Sequence, residues 1–253
     1  MTEPRSLNGL EFCYRILTER FAFPADCIYV LTYDGTLRTT ATEPSVQAPE
    51  PVWPGDGTKH RLRVNGEGNR QALRQVLHAL RDKVTEGDLL FVNTTGHGGN
   101  YGDGRGPFLT TYPRRVRYWL SDFCSDLSEL PRHESLVVLM AQCFSGGSAE
   151  ALLSSSQATR TFVAAASDRY SYAMEEDLNW DSFQRSWVAA IGGRDVDGTP
   201  VTPPEAAAPH EGVTVAEAFH YAAVGPGRNP LDAPTCLARP QAAGGIRLLP
   251  GNT

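Results

Sequence analysis

Two apolar segments of strand length, each ending in a reactive side chain among glycines, constrain this 253-residue chain most strongly. The first, LLFVNTTGHGG, begins at Leu89 and carries His97. The second, SLVVLMAQCFSGG, begins at Ser135 and carries Cys143. Continuous apolar runs of this length are typical of strands buried on both faces of a parallel sheet. The sequence therefore predicts that both reactive residues directly follow buried strands.

Helical patterns alternate with strand patterns along the rest of the chain. Apolar spacing predicts helices over 7–19, 68–84, 116–130, 145–155, 181–193 and 214–223. Further strands are predicted over 27–35, 107–112, 159–167 and 244–250. This alternation predicts an α/β fold with a mainly parallel sheet and helices on both faces. In such sheets the functional crevice lies outside the carboxyl ends of the strands, where His97 and Cys143 are predicted to lie.

Length and composition narrow the class of protein. The length suits one domain over 1–253, with long loops rich in proline at about 36–64 and 194–212. A formal charge of −6, with no Lys/Arg run, argues against a nucleic-acid or anionic-membrane partner. No signal peptide pattern and no stretch of ~20 apolar residues is present. Five scattered cysteines indicate reduced thiols, so we expect a cytoplasmic protein.

The histidine and the cysteine suit one chemistry if their strands are neighbours. Adjacent strands lie ~4.8 Å apart, which would bring the two side chains together. A cysteine thiol with a pKa of ~8.5 needs a base such as imidazole to become a nucleophile at neutral pH. Backbone N–H groups of Gly98 and Cys143 could stabilise an oxyanion. This chemistry needs no metal or organic cofactor.

Other interpretations of the same residues are weaker. Alone, His97 is typical of a loop residue and Cys143 of a small core side chain. Together they stand at matching strand ends, 46 residues apart, and this arrangement is harder to explain by chance than either residue alone. Ser145 in CFSGG does not fit a serine hydrolase, because the G-x-S-x-G turn requires glycine at position 143. The remaining histidines show no metal-ligand spacing.

The chain resembles the caspase-fold cysteine peptidases of clan CD, and it is most similar to bacterial legumain-like members. The resemblance is carried by DLLFVNTTGHGG, LVVLMAQCFSGG, FVAAASDRYSYAMEED, EFCYRILTERFAFPADCIYVLTYDG and TVAEAFHYA. It implies a caspase-like three-layer α/β/α sandwich and a cysteine endopeptidase. His97 would be the general base and acid, and Cys143 the nucleophile. Gly98 and the Cys143 N–H would form the oxyanion hole.

Several positions depart from the family pattern around the pocket for the substrate residue before the cleaved bond, P1. Ala141 stands where an acidic residue or glutamine is common, and Gln142 follows it. Ser186 precedes a tryptophan where an aspartate is expected, so a pocket selecting Lys or Arg is not supported. Ser171 and Tyr172 match pocket-lining positions loosely. The family also has a central strand before the first helix, which MTEPRS cannot supply. Three explanations stay open: a misassigned start, a trimmed start, or a strand supplied by a partner.

Two classes of function follow. The first is an active endopeptidase acting on protein or peptide substrates, by analogy a bacterial regulatory or defence effector. The second is a catalytically silent scaffold or binding module, or a subunit that needs an activating partner or a homo-oligomer. Retention of both His97 and Cys143 favours the first class. The missing first strand favours the second.

Overall fold

The structure is a computed structural model that describes residues 3–39, 51–113, 116–177, 179–204 and 212–248. Its α-helices are α1 (Pro4–Arg15), α2 (Arg70–Arg81), α3 (Leu120–Leu127), α4 (Ala149–Ser155), α5 (Ser182–Gly192) and α6 (Val215–Val224). Its strands are β1 (Val30–Thr32), β2 (Val64–Glu67), β3 (Leu89–Thr94), β4 (Gly98–Asn100), β5 (Pro107–Thr111), β6 (Val116–Trp119), β7 (His133–Met140), β8 (Ala158–Ala165), β9 (Glu175–Asp177), β10 (Trp180–Asp181) and β11 (Thr235–Arg239). Within these ranges no helix is long and apolar enough to cross a membrane.

The central sheet has the strand order β11-β8-β7-β3. Strands β3, β7 and β8 are parallel, and β11 runs antiparallel to β8. The predicted parallel sheet is therefore confirmed for three of these four strands, β3, β7 and β8. The two apolar runs that carry the reactive residues form β3 and β7, which are direct neighbours.

Helices cover both faces of this sheet, which gives three layers. Because side chains alternate along a strand, β7 and β8 contribute to two separate cores. Val137, Leu139, Phe162 and Ala164 pack with α1, α5 and α6 on one face. Leu136, Val138, Met140 and Val163 pack with α2, α3 and α4 on the other face. The expected α/β/α sandwich is confirmed.

The strand predicted near the C-terminus is misplaced. The pairing strand is β11, whereas residues 241–245 form a 3₁₀ turn and Arg247 makes one isolated bridge to Thr214. The apolar residues Ile246 and Leu248 misled the prediction, because they are buried by packing against the core and not by strand pairing. Strand β11 is half-buried along its length and shows no clear alternation.

Two other boundaries differ from the prediction. Residues 116–119 were expected to begin a helix but form β6, which pairs with β5 in a hairpin where Trp119 packs on Phe108. Strand β2 lies at the end of the predicted loop, and it pairs with the short strand β1 in a separate two-stranded parallel sheet. This leaves β3 at an edge of the main sheet, half-buried throughout. In the second predicted loop, residues 205–211 lie outside the described ranges.

A buried carboxylate on helix α1 connects the helix to the backbone of residues 61–62. Glu11 is fully buried and accepts hydrogen bonds from Nε of Arg15 (2.6 Å) and from the backbone N–H groups of Arg61 and Leu62. Arg15 is itself 5 % exposed and also pairs with Asp56 at 3.1 Å, so the buried Glu11 carboxylate faces a cation that a second carboxylate helps to hold. The cluster fixes the position of α1 and hence of the residues at its start.

The Glu11→Ala variant should lose about 3 kcal/mol of unfolding free energy, because it removes one of the two carboxylates that pair with the buried Arg15 guanidinium and leaves two N–H groups without their acceptor. Glu134→Ala is the control, since Glu134 forms an exposed ion pair with Arg160 and should change stability by less than about 0.5 kcal/mol. Urea denaturation of both variants checks this. Equal stability of the two variants would show that the buried cluster contributes nothing.

Candidate functional site

The register of β3 and β7 places His97 and Cys143 at the same edge of the sheet. Thr94 is opposite Met140, and the pairing continues with the Ala141 N–H donating to the carbonyl of Thr94 (2.9 Å). His97 lies three residues after Thr94, and Cys143 lies three residues after Met140. Parallel pairing thus brings two residues that are 46 positions apart in the sequence to the same edge of the sheet.

The backbones of the two segments are in contact beyond the strands. A Cβ atom added to Gly98 would lie 2.4 Å from the carbonyl oxygen of Cys143 and 3.0 Å from Cβ of Gln142. Only glycine fits at that distance, since no real Cβ contact is so short. The glycine after the histidine therefore allows the two segments to meet.

The N–H of Gly98 points away from the β4–β5 hairpin. The carbonyl of His97 accepts a hydrogen bond from the N–H of Thr110 on β5 (2.9 Å). In a trans peptide the carbonyl and the following N–H point in opposite directions, so the Gly98 N–H is directed to the other side. The geometry thus leaves this donor outside the ladder.

Cys143 differs from the buried cysteines of the chain. Its side chain is half-buried, and its thiol is 3.7 Å from the carbonyl oxygen of Ala173. Burial raises the pKa of the Cys13 and Cys124 thiols to about 12, which keeps both protonated and unreactive. Cys27 is exposed. Among these cysteines, Cys143 alone follows a sheet strand at its carboxyl end.

The residue after Cys143 adopts an unusual backbone conformation. Phe144 has φ +61°, in the left-handed region that bulky residues rarely occupy. Its N–H donates to the carbonyl of Ser171 (2.9 Å), and its ring lies edge-on to Tyr172 with centroids 5.0 Å apart. Strained conformations of this kind cluster at functional sites, where the surroundings enforce them.

Buried serines hold the turn after β7. The hydroxyl of Ser167 donates to the carbonyl of Gln142 (3.1 Å) and accepts from the N–H of Ser145 (3.2 Å). Ser148 donates to the carbonyl of Ser145 (2.8 Å). Ser145 is fully buried, which agrees with rejecting it as a nucleophile. Sequence reasoning missed the role of Ser148 and Ser167; small polar residues beside an apolar strand were the available signal.

The predicted substrate-binding residues fall into two groups. Ala141 and Gln142 are almost completely buried, and the Gln142 amide oxygen accepts a hydrogen bond from the Thr94 hydroxyl (3.0 Å). Ser171 and Tyr172 lie in the segment that contacts the turn after Cys143, and the Tyr172 side chain is 65 % exposed. The second pair is the one that the structure presents to solvent beside the thiol.

His97 has a carboxylate partner that sequence reasoning missed. Its Nε2 atom is 2.8 Å from Oε1 of Glu3, and the other oxygen of Glu3 pairs with the Arg5 guanidinium. The hydrogen bond from His97, together with the hydrogen bond and the charge of Arg5, lowers the pKa of Glu3 to about 2 despite partial burial. Nothing in MTEPRS signals this contact, because it joins residues 94 positions apart.

Comparison with known proteins assigns the family. The model of the Peptidase C13 family matches residues 57–197, more than half of the chain, and that range includes both His97 and Cys143. This chain belongs to the Peptidase C13 family. The resemblance to legumain-like cysteine peptidases of the caspase-like clan is therefore confirmed. A comparison with curated protein sequences gives no significant match.

A solved structure supports the fold of this Peptidase C13 member. The chain is similar to protein GSU0716 from Geobacter sulfurreducens, with a TM-score of 0.51 and 12 % sequence identity. The similarity covers 74 % of this chain and 82 % of that protein. At this identity the likeness concerns the fold alone.

Proposed function

We propose that this chain is a cysteine endopeptidase in which Cys143 is the nucleophile and His97 the general base and acid. The observation that carries the proposal is the backbone contact between Gly98 and Cys143, which sets the histidine segment against the cysteine at the carboxyl edge of the sheet. Family membership supports the reaction class. The exposed position of His97 and the partial exposure of Cys143 leave both side chains accessible to a peptide.

The proposed reaction has two steps. His97 takes the thiol proton while Sγ of Cys143 attacks the peptide carbonyl carbon, and the tetrahedral intermediate collapses to a thioester as His97 protonates the leaving amine. Water then attacks the thioester, with His97 again as base. The carboxylic acid leaves and the thiol is restored.

Two backbone donors would stabilise the oxyanion in both steps. The Gly98 N–H is directed away from β5, and the Cys143 N–H lies on the segment that Gly98 contacts. Donors fixed before the reaction need no reorganisation when charge develops, which is the main source of their catalytic effect. The Ala173 carbonyl oxygen, 3.7 Å from Sγ, would accept a hydrogen bond from the thiol in the resting state.

The segment over 171–173 is the proposed path of the substrate. It contacts Phe144 through the Ser171 carbonyl and reaches Cys143 through the Ala173 carbonyl. An extended peptide lying along this segment would have its scissile carbonyl beside the thiol. Tyr172 would contact the peptide, whereas Ala141 and Gln142 would shape the base of the pocket from within.

Covalent labelling tests the proposal. Incubation with a panel of peptidyl acyloxymethyl ketones that differ at P1 should add one probe mass, located at Cys143 by peptide mapping. Reaction at this thiol needs the imidazole, so His97→Ala should label at least about 100-fold more slowly. The P1 residue of the fastest probe then defines the pocket.

The exposed cysteine provides the control. Cys27→Ala should label like the wild type, because Cys27 lies away from the sheet edge that carries His97. Probe mass at Cys27, or labelling of Cys143 that is indifferent to His97, would contradict the proposal. Folded protein that reacts with no probe would favour the silent scaffold or a subunit awaiting an activating partner.

A further inference from the structure

The start of α1 reaches the proposed site through Glu3. Glu3 occupies the N-cap position of α1, where an acidic side chain commonly accepts hydrogen bonds from its own helix. Here the side chain makes no such cap. Its two oxygens instead bind His97 and Arg5, at 2.8 Å in each case. One oxygen of the carboxylate is therefore directed at the histidine, and the other binds a side chain near the start of its own helix.

Arg5 holds this carboxylate from the protein side. Both Nε and a terminal nitrogen of Arg5 contact Oε2 of Glu3, at 2.8 and 2.7 Å. The Arg5 side chain is only 11 % exposed, and the neighbouring Leu7 is fully buried. One oxygen is thus fixed by a buried cation, and this fixes the direction in which the other oxygen meets His97.

The contact selects a tautomer of His97. An ionised carboxylate can only accept hydrogen bonds, so the Nε2 atom must carry the hydrogen. Neutral His97 then has its basic lone pair on Nδ1, so Nδ1 is the atom that can exchange a proton with a thiol. Orientation of a catalytic imidazole by a carboxylate is the arrangement that generalises from the serine triad.

Resting on the proposed function of His97 and Cys143, we propose that Glu3 is a positioning residue, whose carboxylate fixes the ring of His97 with Nδ1 as the atom that exchanges a proton with Cys143. Glu3 lies outside the residues matched by the family model. It acts through the histidine and does not touch the reacting atoms.

The charge of Glu3 has a second consequence. At the start of α1, Glu3 binds His97 and Arg5 binds Glu3. The turn after β7 contributes the titratable thiol of Cys143 to the same edge of the sheet. Glu3 is ionised throughout the working pH range, since its pKa is lowered to about 2 mainly by the bond from His97. The same bond favours the imidazolium form of His97, so removing the charge should let His97 lose its proton at lower pH.

Steady-state kinetics of three variants test the role. With the best substrate identified by the probe panel, Glu3→Ala should lower kcat about 30-fold with KM within about twofold, because orientation and not binding is lost. Glu3→Gln keeps an acceptor oxygen but no charge, and it should also shift the acid limb of the pH profile to lower pH, because His97 must be neutral to act as the base. Glu134→Gln, which breaks an exposed ion pair elsewhere, should leave both constants unchanged. The exposed pair of His97 and Glu3 contributes little stability, but Glu3→Ala also leaves the buried Arg5 guanidinium without this carboxylate and should lose stability. Rates are therefore compared per folded molecule, with the folded fraction measured by circular dichroism at the assay temperature.

A second measurement separates this inference from the proposed function. Imidazole ¹⁵N NMR reports the tautomer and titration of His97 without turnover, and the wild type should show the Nε2–H tautomer with a later titration than Glu3→Gln. Identical titrations, or a kcat for Glu3→Ala within twofold of an active wild type, would overturn the inference. A wild-type protein without turnover would reject the proposed function, and with it the catalytic role of Glu3, even if the titrations differ.

Discussion

Replacing Cys143 by alanine should lower kcat/KM for peptide hydrolysis by at least about 10⁴-fold, because no other group in the proposed site can form the thioester. Ser145 cannot substitute, since its hydroxyl is fully buried and held by Ser167. The remaining rate would come only from substrate binding and the oxyanion donors. Fluorogenic peptide hydrolysis, with active protein titrated by the best covalent probe, measures this loss.

The matched comparison is another cysteine-to-alanine change. Cys27→Ala removes an exposed thiol and should retain full activity, which distinguishes a specific nucleophile from a general sensitivity to thiol loss. Hydrolysis by Cys143→Ala above about 1 % of the wild-type rate would rule out Cys143 as the nucleophile, since loss of a covalent nucleophile costs several orders of magnitude. Circular dichroism should show the same fold in both variants.

The apolar pattern of the sequence is sufficient to predict the strands whose sheet is covered by helices on both faces. Strands β3 and β7 contain the apolar runs 89–92 and 136–140 because helices cover both faces of their sheet, so the sequence alone predicts them. Their reactive residues could also be predicted to lie at the same edge of the sheet, because parallel neighbours align their carboxyl ends. The core of the candidate site thus follows from two short segments.

Elements fixed by distant pairing were harder to predict. Strand β11 is identified only by its antiparallel partner β8, and β2 only by its pairing with β1. The apolar content of residues 244–250 predicts a strand, although the described part, 244–248, does not form one. A strand at an edge needs little hydrophobic alternation, so its sequence carries little signal.

In the candidate site, too, some residues are predictable from local sequence and others depend on the tertiary structure. His97 and Cys143 are chemically distinctive and follow strong strand patterns. Glu3 lies in an unpatterned N-terminal segment, and its contact with His97 depends on how α1 packs. Local sequence cannot report such a contact, because it is a consequence of the tertiary structure.

The contact between Gly98 and Cys143 leads to the prediction with the second largest effect. The Gly98→Ala variant should lower kcat/KM about 10²- to 10³-fold, since its Cβ would meet the Cys143 carbonyl oxygen at 2.4 Å and something must shift. The atom in the way belongs to the backbone, so no side-chain rotation can relieve the clash. The shift would move the nucleophile relative to His97 and turn an oxyanion donor out of line. Peptide hydrolysis and labelling of Cys143 by the peptidyl probe should fall together.

Two other glycines of the chain separate this effect from simple overpacking. At Gly99 an added Cβ would meet the Phe108 ring at 2.5 Å, which strains the same hairpin without touching Cys143. Gly99→Ala should therefore lose stability, about 1–3 kcal/mol, but keep most of its activity per folded molecule. Gly87→Ala places its Cβ in open space and should match the wild type in both respects. If Gly98→Ala and Gly99→Ala lose activity equally, the hairpin acts only as a support, and the contact with Cys143 has no catalytic meaning. If only Gly98→Ala loses it, the absence of a side chain at this position is a requirement of the chemistry itself.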